Sequence, residues 1–331
     1  MEIKINTPWI NSFSNKRLDI ILLLTEQCNF RCTYCYEDFK IGKMAPDIIE
    51  GIKNLIIKRI GGLEILSLSF FGGEPLLNKI AVLELSNWAK QICTIHNVEY
   101  KGSITTNGYL LDKKTFGKLI QSDVTAFQIT LDGEKQTHDK FRPTINSKST
   151  FDKIYSNLIN IAETKHNFTC TIRFNIADSN FNSIKTFIND FSSPFADDNR
   201  FSFHFHPIFG MSEIKLTKEE VPLNELKELS EMKNFSYSTP FEDSLCYAGR
   251  ADSLVIRADG RVQKCTVALE NEINNIGKIS KDGNLNINEE KFKKWIFADT
   301  KGCPLNKLSR EKLATPYESA GKYVNNAITN A

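Results

Sequence analysis

Six strand-sized runs separated by helix-sized ones fill residues 19–208, and this alternation limits the fold more than any other feature of the chain. The runs are Asp19–Thr25, Ile65–Phe71, Glu99–Thr105, Ala126–Leu131, Thr169–Ile176 and Phe201–Ile208, with helix-like stretches at 46–60, 77–95, 112–121, 151–166 and 182–191. Pro46 suits a first helical turn, where its missing N–H costs nothing, and Gly61-Gly62 suits a helix end. Strands joined through helices pair in parallel. The series therefore predicts an α/β fold with a parallel sheet, either an open barrel or a doubly wound sheet.

Strand phase separates these two. Parallel strands covered on both faces read as continuous apolar runs, but several runs here alternate. Phe127, Ile129 and Leu131 share one face; Gln128, Thr130 and Asp132 share the other. Thr171, Arg173 and Asn175 oppose Cys170, Ile172 and Phe174, and Ser202, His204 and His206 oppose Phe201, Phe203 and Phe205. The pattern predicts an apolar outer face under helices and a polar inner face. A polar interior does not suit a closed barrel filled with branched apolar side chains. It suits a wider, incomplete barrel around a solvated cavity.

A chain of 331 residues can bury a core of one large domain and a smaller one. Lys and Arg number 42 against 40 Asp and Glu, so nucleic acid is not an expected partner. The longest apolar run, Ile20–Leu24, is far short of the ~20 residues that span a bilayer, so no membrane partner is expected either. The N-terminus lacks the apolar core of a signal peptide, which points to the cytoplasm. In a large cytoplasmic chain, eight cysteines read as metal ligands or reactive thiols before disulfides.

Cys28, Cys32 and Cys35 crowd the segment after the first strand, with three residues in the first gap and two in the second. Thiolates this close serve one centre. Three are one short of the four that close a structural zinc site or an ordinary [4Fe–4S] cluster. Such a centre keeps an open position for an outside molecule. The run resembles the cluster motif of the radical S-adenosylmethionine (SAM) enzymes, with the aromatic Tyr34 just before the third cysteine. Further matches come in that family's order: Gly72-Gly73-Glu74-Pro75, Thr105-Thr106-Asn107-Gly108, Gln128-Ile129-Thr130-Leu131-Asp132-Gly133 and His138-Asp139-Lys140-Phe141-Arg142. The resemblance covers roughly residues 16–210.

The resemblance implies a partial (β/α)6 TIM-like barrel with SAM and substrate inside. It implies that Cys28, Cys32 and Cys35 hold a [4Fe–4S] cluster whose free iron takes the amine and carboxylate of SAM. Glu74 then accepts the amine, in a turn where Gly72 and Gly73 let backbone come close. Arg142 forks onto the carboxylate. Asn107 and Thr130 reach ribose hydroxyls or the methionyl end, and Asp132 fixes a loop or touches ribose. Tyr34, with Phe30, walls the cluster from solvent. Arg173, Asn175, His204 and His206 stand between structural roles and contact with SAM or substrate. Cys93 and Cys170 read as buried structural thiols.

After Gly210 the texture changes. Residues 213–235 are charged and helix-prone and read as a bridge, and 254–265 read as a hairpin turning at Asp259-Gly260. Cys246, Gly260 and Cys265, then Trp295 and Gly302-Cys303-Pro304, are similar to the SPASM/twitch extensions that carry auxiliary [4Fe–4S] clusters. A full SPASM domain continues with more cysteines, and none follows Cys303. The expectation is one auxiliary [4Fe–4S] cluster on Cys246, Cys265 and Cys303, with its fourth site open or filled by another ligand; the alternative is an extension without metal. The expected organisation is an N-terminal segment (1–15), the radical SAM barrel (16–210), a bridging helical segment (211–243) and a small SPASM/twitch-like auxiliary cluster domain with its tail (244–331).

The run from Phe70 to Leu77, followed by Thr130-Leu131-Asp132-Gly133 and His138-Asp139, looks most like the maturases of ribosomally made peptides and of sulfatases. The implied function is reductive cleavage of SAM to a 5′-deoxyadenosyl radical that takes hydrogen from a peptide. The product is a thioether or carbon–carbon crosslink, an epimerised residue or an oxidised one. The implied partners are a precursor peptide or protein and an electron donor such as flavodoxin or ferredoxin. The first strand begins near Lys16 with no peptide-recognition domain before it, so a leader peptide is expected to bind the barrel mouth, the bridge helix or a separate leader-peptide-binding protein. A radical SAM dehydrogenase or mutase of a small molecule is the second reading. A non-catalytic iron–sulfur or zinc module is the third.

Overall fold

The sheet grows from its first strand in both directions. The computed structural model describes residues 11–208, 221–239, 245–298 and 303–308. On one side of β1 (Arg17–Thr25) stand β2 (Ile65–Gly72), β3 (Glu99–Thr106), β4 (Val124–Thr130), β5 (Thr169–Ile176) and β6 (Phe201–Pro207), paired in sequence order and all parallel. The crossovers carry α1 (Pro46–Ile60), α2 (Lys79–His96), α3 (Lys113–Gln121), α4 (Lys135–Phe141) with α5 (Phe151–Ala162), and α6 (Phe181–Thr186). Each strand overlaps the run expected for it, with ends displaced by at most two residues. Pro46 opens α1 and Gly61 follows its last residue, as the local chemistry requires. Asp112 starts α3 by accepting the Thr115 N–H at 2.7 Å.

The alternation seen in the sequence is the inside–outside code of the barrel. Leu66, Leu68 and Phe70 of β2, Phe127 and Ile129 of β4, and Phe201, Phe203 and Phe205 of β6 are buried under the helices. Each such side chain contributes about 1.5–3 kcal/mol by leaving water. The intervening Ser67, Ser69, Gln128, Ser202, His204 and His206 face the lumen and are only partly covered. Cys93 and Cys170 are buried in the apolar layer, as expected.

Two features add to the sequence reading. A short seventh parallel strand, β7 (Ser236–Ser238), follows α7 (Val221–Met232) and extends the sheet beyond β6. Reading 211–243 as a bridging helical segment missed it. On the other side of β1, β8 (Ser253–Ile256) pairs in parallel, and β9 (Arg261–Gln263), β10 (Gly277–Ile279) and β11 (Leu285–Ile287) follow antiparallel. The C-terminal part thus continues the barrel sheet, in the order β11-β10-β9-β8-β1-β2-β3-β4-β5-β6-β7. The hairpin turns at Asp259-Gly260, with Gly260 at φ +84°, where a Cβ would be strained. The helices α8 (Glu289–Ala298) and α9 (Leu305–Leu308) close the described chain. The boundaries expected near 210 and 244, together with Gly302 and the tail beyond 310, lie outside the described residues. Among the described residues no helix is long and apolar enough to cross a membrane.

α1 binds the two halves of the sheet together. A Cβ at Gly51 would lie 2.4 Å from the Ser280 carbonyl oxygen, whereas one at Gly42 would meet nothing within 4 Å. Gly51→Ala is expected to cost about 1–3 kcal/mol, read as a lower urea midpoint, with Gly42→Ala within error of wild type. Equal midpoints for the two variants would contradict this packing.

Candidate cofactor and substrate site

The segment that leaves β1 carries Cys28, Cys32 and Cys35, all free thiols and all partly buried. It has almost no secondary structure of its own and is held by stitches to the segment after α4. Arg31 N donates to Pro143 O at 2.9 Å, Thr33 N to Phe141 O at 2.9 Å, and Ile145 N to Asn29 O at 2.9 Å. Phe30 is fully buried beneath the segment, edge-on to Tyr109 with ring centroids 5.7 Å apart. Burial pushes the Cys28 thiol up to about 12 and raises Cys32 and Cys35 as well. Unmetallated, all three hold their protons at neutral pH, and iron would have to displace them.

Tyr34 ties the cysteine segment to the sheet. Its hydroxyl donates to Asp132 and accepts from Arg142 Nη1 at 2.5 Å and from Asn175 Nδ2 at 2.9 Å. The second oxygen of Asp132 accepts the Asn175 N–H at 2.9 Å, and Arg142 Nη1 lies 3.8 Å from the first. Asp132 is fully buried and both of its oxygens serve protein donors, so the geometry makes it a brace. Burial raises its carboxyl, while Arg142 opposes that shift. Arg142 is buried too, and its Nε has no partner among the described residues.

At the end of β2, Gly72 has φ +115°, and a Cβ on Gly73 would come within 2.5 Å of Gln27 O. Glycine alone lets the two loops meet here. Glu74 is fully buried. Its Oε1 accepts from Leu76 N at 2.9 Å and Thr106 Oγ1 at 2.8 Å, and its Oε2 from Asn107 N at 2.7 Å. Three protein donors hold it, leaving acceptor capacity on Oε2. Asn107 Nδ2 donates to Asn29 Oδ1 at 2.8 Å and lies 3.9 Å from Cys28 Sγ. Thr130, the last residue of β4, makes no hydroxyl hydrogen bond among the described residues.

The second trio lies at the other side of β1. Cys265, at the end of β9, is buried, and Cys246 and Cys303 are partly covered. Burial pushes Cys265 up to about 12, reinforced by Cys246 and Cys303, so the three thiols are electrostatic neighbours. Asn274 Oδ1 accepts the N–H groups of Lys264 and Cys265 at 3.0 and 2.9 Å, and Trp295 Nε1 donates to Ile273 O at 3.0 Å. A buried brace joins this region to the first cysteines. Arg257 forks onto Glu26, two residues before Cys28, and donates to Glu270 at 2.6 Å.

Among the described residues no three His, Cys, Asp or Glu side chains converge closely enough to hold a single metal ion. A [4Fe–4S] cluster binds each thiolate at a different iron, so trios that do not converge on one point suit such a cluster better than a single zinc ion. The unpartnered Arg142 Nε and Thr130 hydroxyl suit a polar ligand such as SAM beside the first trio. Sequence reasoning missed the Tyr34 hub and the Glu26–Arg257 pair. The inward phase of Asn175 was the one available signal.

Residues 22–191, a little over half of the chain, match the family model described as the Radical SAM superfamily. Over 143 residues, 40% of this chain, the sequence is 32% identical to the cysteine-type anaerobic sulfatase-maturating enzyme of Clostridium novyi (strain NT). The chain spans 37% of that relative's length, and less than half of the length of others such as the Fe-coproporphyrin III synthase of Methanosarcina barkeri (strain Fusaro / DSM 804). Native anSMEcpe with bound AdoMet and Cp18Cys peptide superposes with a TM-score of 0.64 at 17% identity, covering 95% of this chain and 98% of that one. Streptococcus suis SuiB bound to precursor peptide SuiA gives a TM-score of 0.57 at 16% identity, covering 94% of this chain and 73% of that one. At such identities both likenesses speak to the fold.

His138 supplies a pH test of the brace. It is fully buried, its Nδ1 accepts the Asp132 N–H at 3.2 Å, and burial holds it down to about 3. The unfolded chain protonates this imidazole below about pH 6.5 while the folded chain does not, so stability falls as pH drops through that window. The expected loss is about 2 kcal/mol by pH 5. In urea melts, His138→Gln should show a shallower decline between pH 7 and 5. Parallel declines would contradict the assignment.

Proposed function

The chain belongs to the radical SAM superfamily, whose members use a [4Fe–4S] cluster and SAM, and from that premise we propose that it abstracts hydrogen from a peptide to install a post-translational modification. The observation that carries this reading is a convergence at the carboxyl ends of the strands. Three thiols, a buried arginine with a free Nε and an unengaged threonine hydroxyl meet beside one polar lumen. The cluster, when bound, supplies the electron that splits SAM into methionine and a 5′-deoxyadenosyl radical.

In this reading Cys28, Cys32 and Cys35 hold that cluster with one iron free. Arg142 turns its unpartnered Nε to the SAM carboxylate, and Glu74 accepts the amine with the capacity left on Oε2. Thr130 and Asn107 bond the ribose or the methionyl end. Tyr34 and Asp132 position Arg142, and Tyr34 with Phe30 keeps water from the cysteines. Cys246, Cys265 and Cys303 hold an auxiliary [4Fe–4S] cluster. A flavodoxin or ferredoxin delivers the electron.

Support for a peptide substrate comes from relatives: SuiB is seen with its precursor peptide and anSMEcpe with the Cp18Cys peptide. The lumen also suits a chain with mixed side chains. Ile21 and Leu23 of β1, Phe71 of β2 and Val255 of β8 form an apolar patch, while the β4–β6 wall is polar.

The test is anaerobic turnover of the reconstituted protein with SAM and a strong reductant. Ala at Cys28, Cys32 or Cys35 is expected to abolish 5′-deoxyadenosine formation. Cys265→Ala is expected to lower the iron content by about one cluster's worth while 5′-deoxyadenosine still forms. Full SAM cleavage by a first-trio variant would sink the function. Unchanged iron in Cys265→Ala would remove the auxiliary cluster.

A further inference from the structure

Two arginines end one hydrogen-bonded line along the lumen wall. Arg142 Nη1 and Asn175 Nδ2 both donate to the Tyr34 hydroxyl, and Arg173 Nε donates to Asn175 Oδ1 at 2.8 Å. Arg142 has the Asp132 carboxylate 3.8 Å away. Arg173 has no carboxylate within ion-pair distance among the described residues, and the bond to Asn175 is the one hydrogen bond its side chain makes among them. A guanidinium carries five N–H donors in a rigid fork. The donors on its two terminal nitrogens are therefore unassigned.

Strand register shows what Arg173 stands beside. It is level with Thr130 on β4 and His204 on β6, and His204 is level with Ser238 on β7. The next inward pair is Asn175 and His206. The His204 ring engages Ser238 Oγ through Nδ1 at 2.9 Å and makes no other hydrogen bond among the described residues. Burial and the Arg173 charge keep this imidazole neutral, with its pKa lowered to about 4. The apolar patch on the same sheet is made by Ile21 and Leu23 of β1, Phe71 of β2 and Val255 of β8.

Arg173 is partly buried, where a cation without a counter-charge is unfavourable, and a fork of paired N–H donors matches a carboxylate in geometry as well as in charge. We propose that Arg173 and His204 form a seat for a carboxylate of the substrate. The acid lies against β5 and β6 while the apolar part of the molecule lies against β1 and β8. Asn175 is a positioning residue, aiming the guanidinium through its own bond to Tyr34. This inference rests on the reading of the lumen as the reaction chamber and narrows the substrate class. A peptide substrate would present either an Asp or Glu side chain or its own C-terminus.

Ligand-observed saturation-transfer NMR on the reconstituted full-length protein, with and without SAM, tests the seat. The probes are acetyl-Glu-Leu-amide for a side-chain carboxylate, acetyl-Gln-Leu with a free C-terminus for a terminal one, and acetyl-Gln-Leu-amide as the neutral control. At least one acidic probe should bind about fivefold or more tighter than the control, and the stronger of the two identifies the source of the carboxylate. Arg173→Met should bring that probe down to the control, Arg173→Lys should retain part of the gain, and His204→Phe should lose part of it. Should Arg173→Met fail to fold, Arg173→Gln takes its place. Equal binding of all three probes, or an acid preference that survives loss of Arg173, overturns the seat. So does expulsion of the acidic probes by SAM, because Arg173 would then belong to the cofactor. Binding is read without turnover, so a protein that prefers acids yet makes no 5′-deoxyadenosine overturns the function and leaves the seat standing.

Discussion

The Tyr34 hydroxyl sits where three segments of chain meet, and it has one proton and two lone pairs to offer. All three are used. The proton goes to Asp132, and the lone pairs take N–H groups of Arg142 and Asn175. With two donors already in place, the hydroxyl can only donate toward Asp132, which must therefore act as the acceptor. Buried networks of this kind hold geometry tightly when every member is satisfied. Tyr34 lies between Cys32 and Cys35, so the same hydroxyl fixes the cysteine segment, the lumen side of β5 and the arginine beside the cysteines.

A second grip acts from the opposite side. Glu26 precedes the first cysteine by two residues and is buried with Arg257 of the C-terminal hairpin. A buried ion pair of this sort contributes little net stability, but breaking it leaves a bare charge, so it fixes one arrangement against others. The segment that carries Cys28, Cys32 and Cys35 is thus clamped between β4–β5 on one flank and β8–β9 on the other. Because β8 pairs directly with β1, the two cysteine trios flank one strand of one sheet. Their relative position is set by backbone hydrogen bonds rather than by a flexible linker.

Most of the barrel was legible because period-two alternation survives in strands with one apolar and one polar face. Phe201-Ser202-Phe203-His204-Phe205-His206 states its own orientation. α4 and β7 were not legible. The first is a single short polar helix between Gly133 and Arg142, and the second is three residues long, Ser236-Tyr237-Ser238, beside a helix-prone stretch. The cysteines were legible from spacing, and the residues around them from resemblance. What could not be read was which polar groups serve the protein itself. Asp132 and the larger part of Glu74 are used up by donors from β5, β3 and the loops, and all of those donors except Leu76 N come from 30 or more residues away. The bare donors of Arg173 are a fact about what does not approach them, and no local pattern encodes that.

The central claim is that SAM docks through its amine and carboxylate on an iron held by Cys28, Cys32 and Cys35, with Arg142 and Glu74 beside it. Electron–nuclear double resonance on the reduced, cluster-loaded protein with SAM carrying a ¹⁵N amine tests it most directly. The account predicts a resolved ¹⁵N coupling to the reduced cluster. A reduced-cluster signal with no coupling to that nitrogen, under saturating SAM, would contradict it.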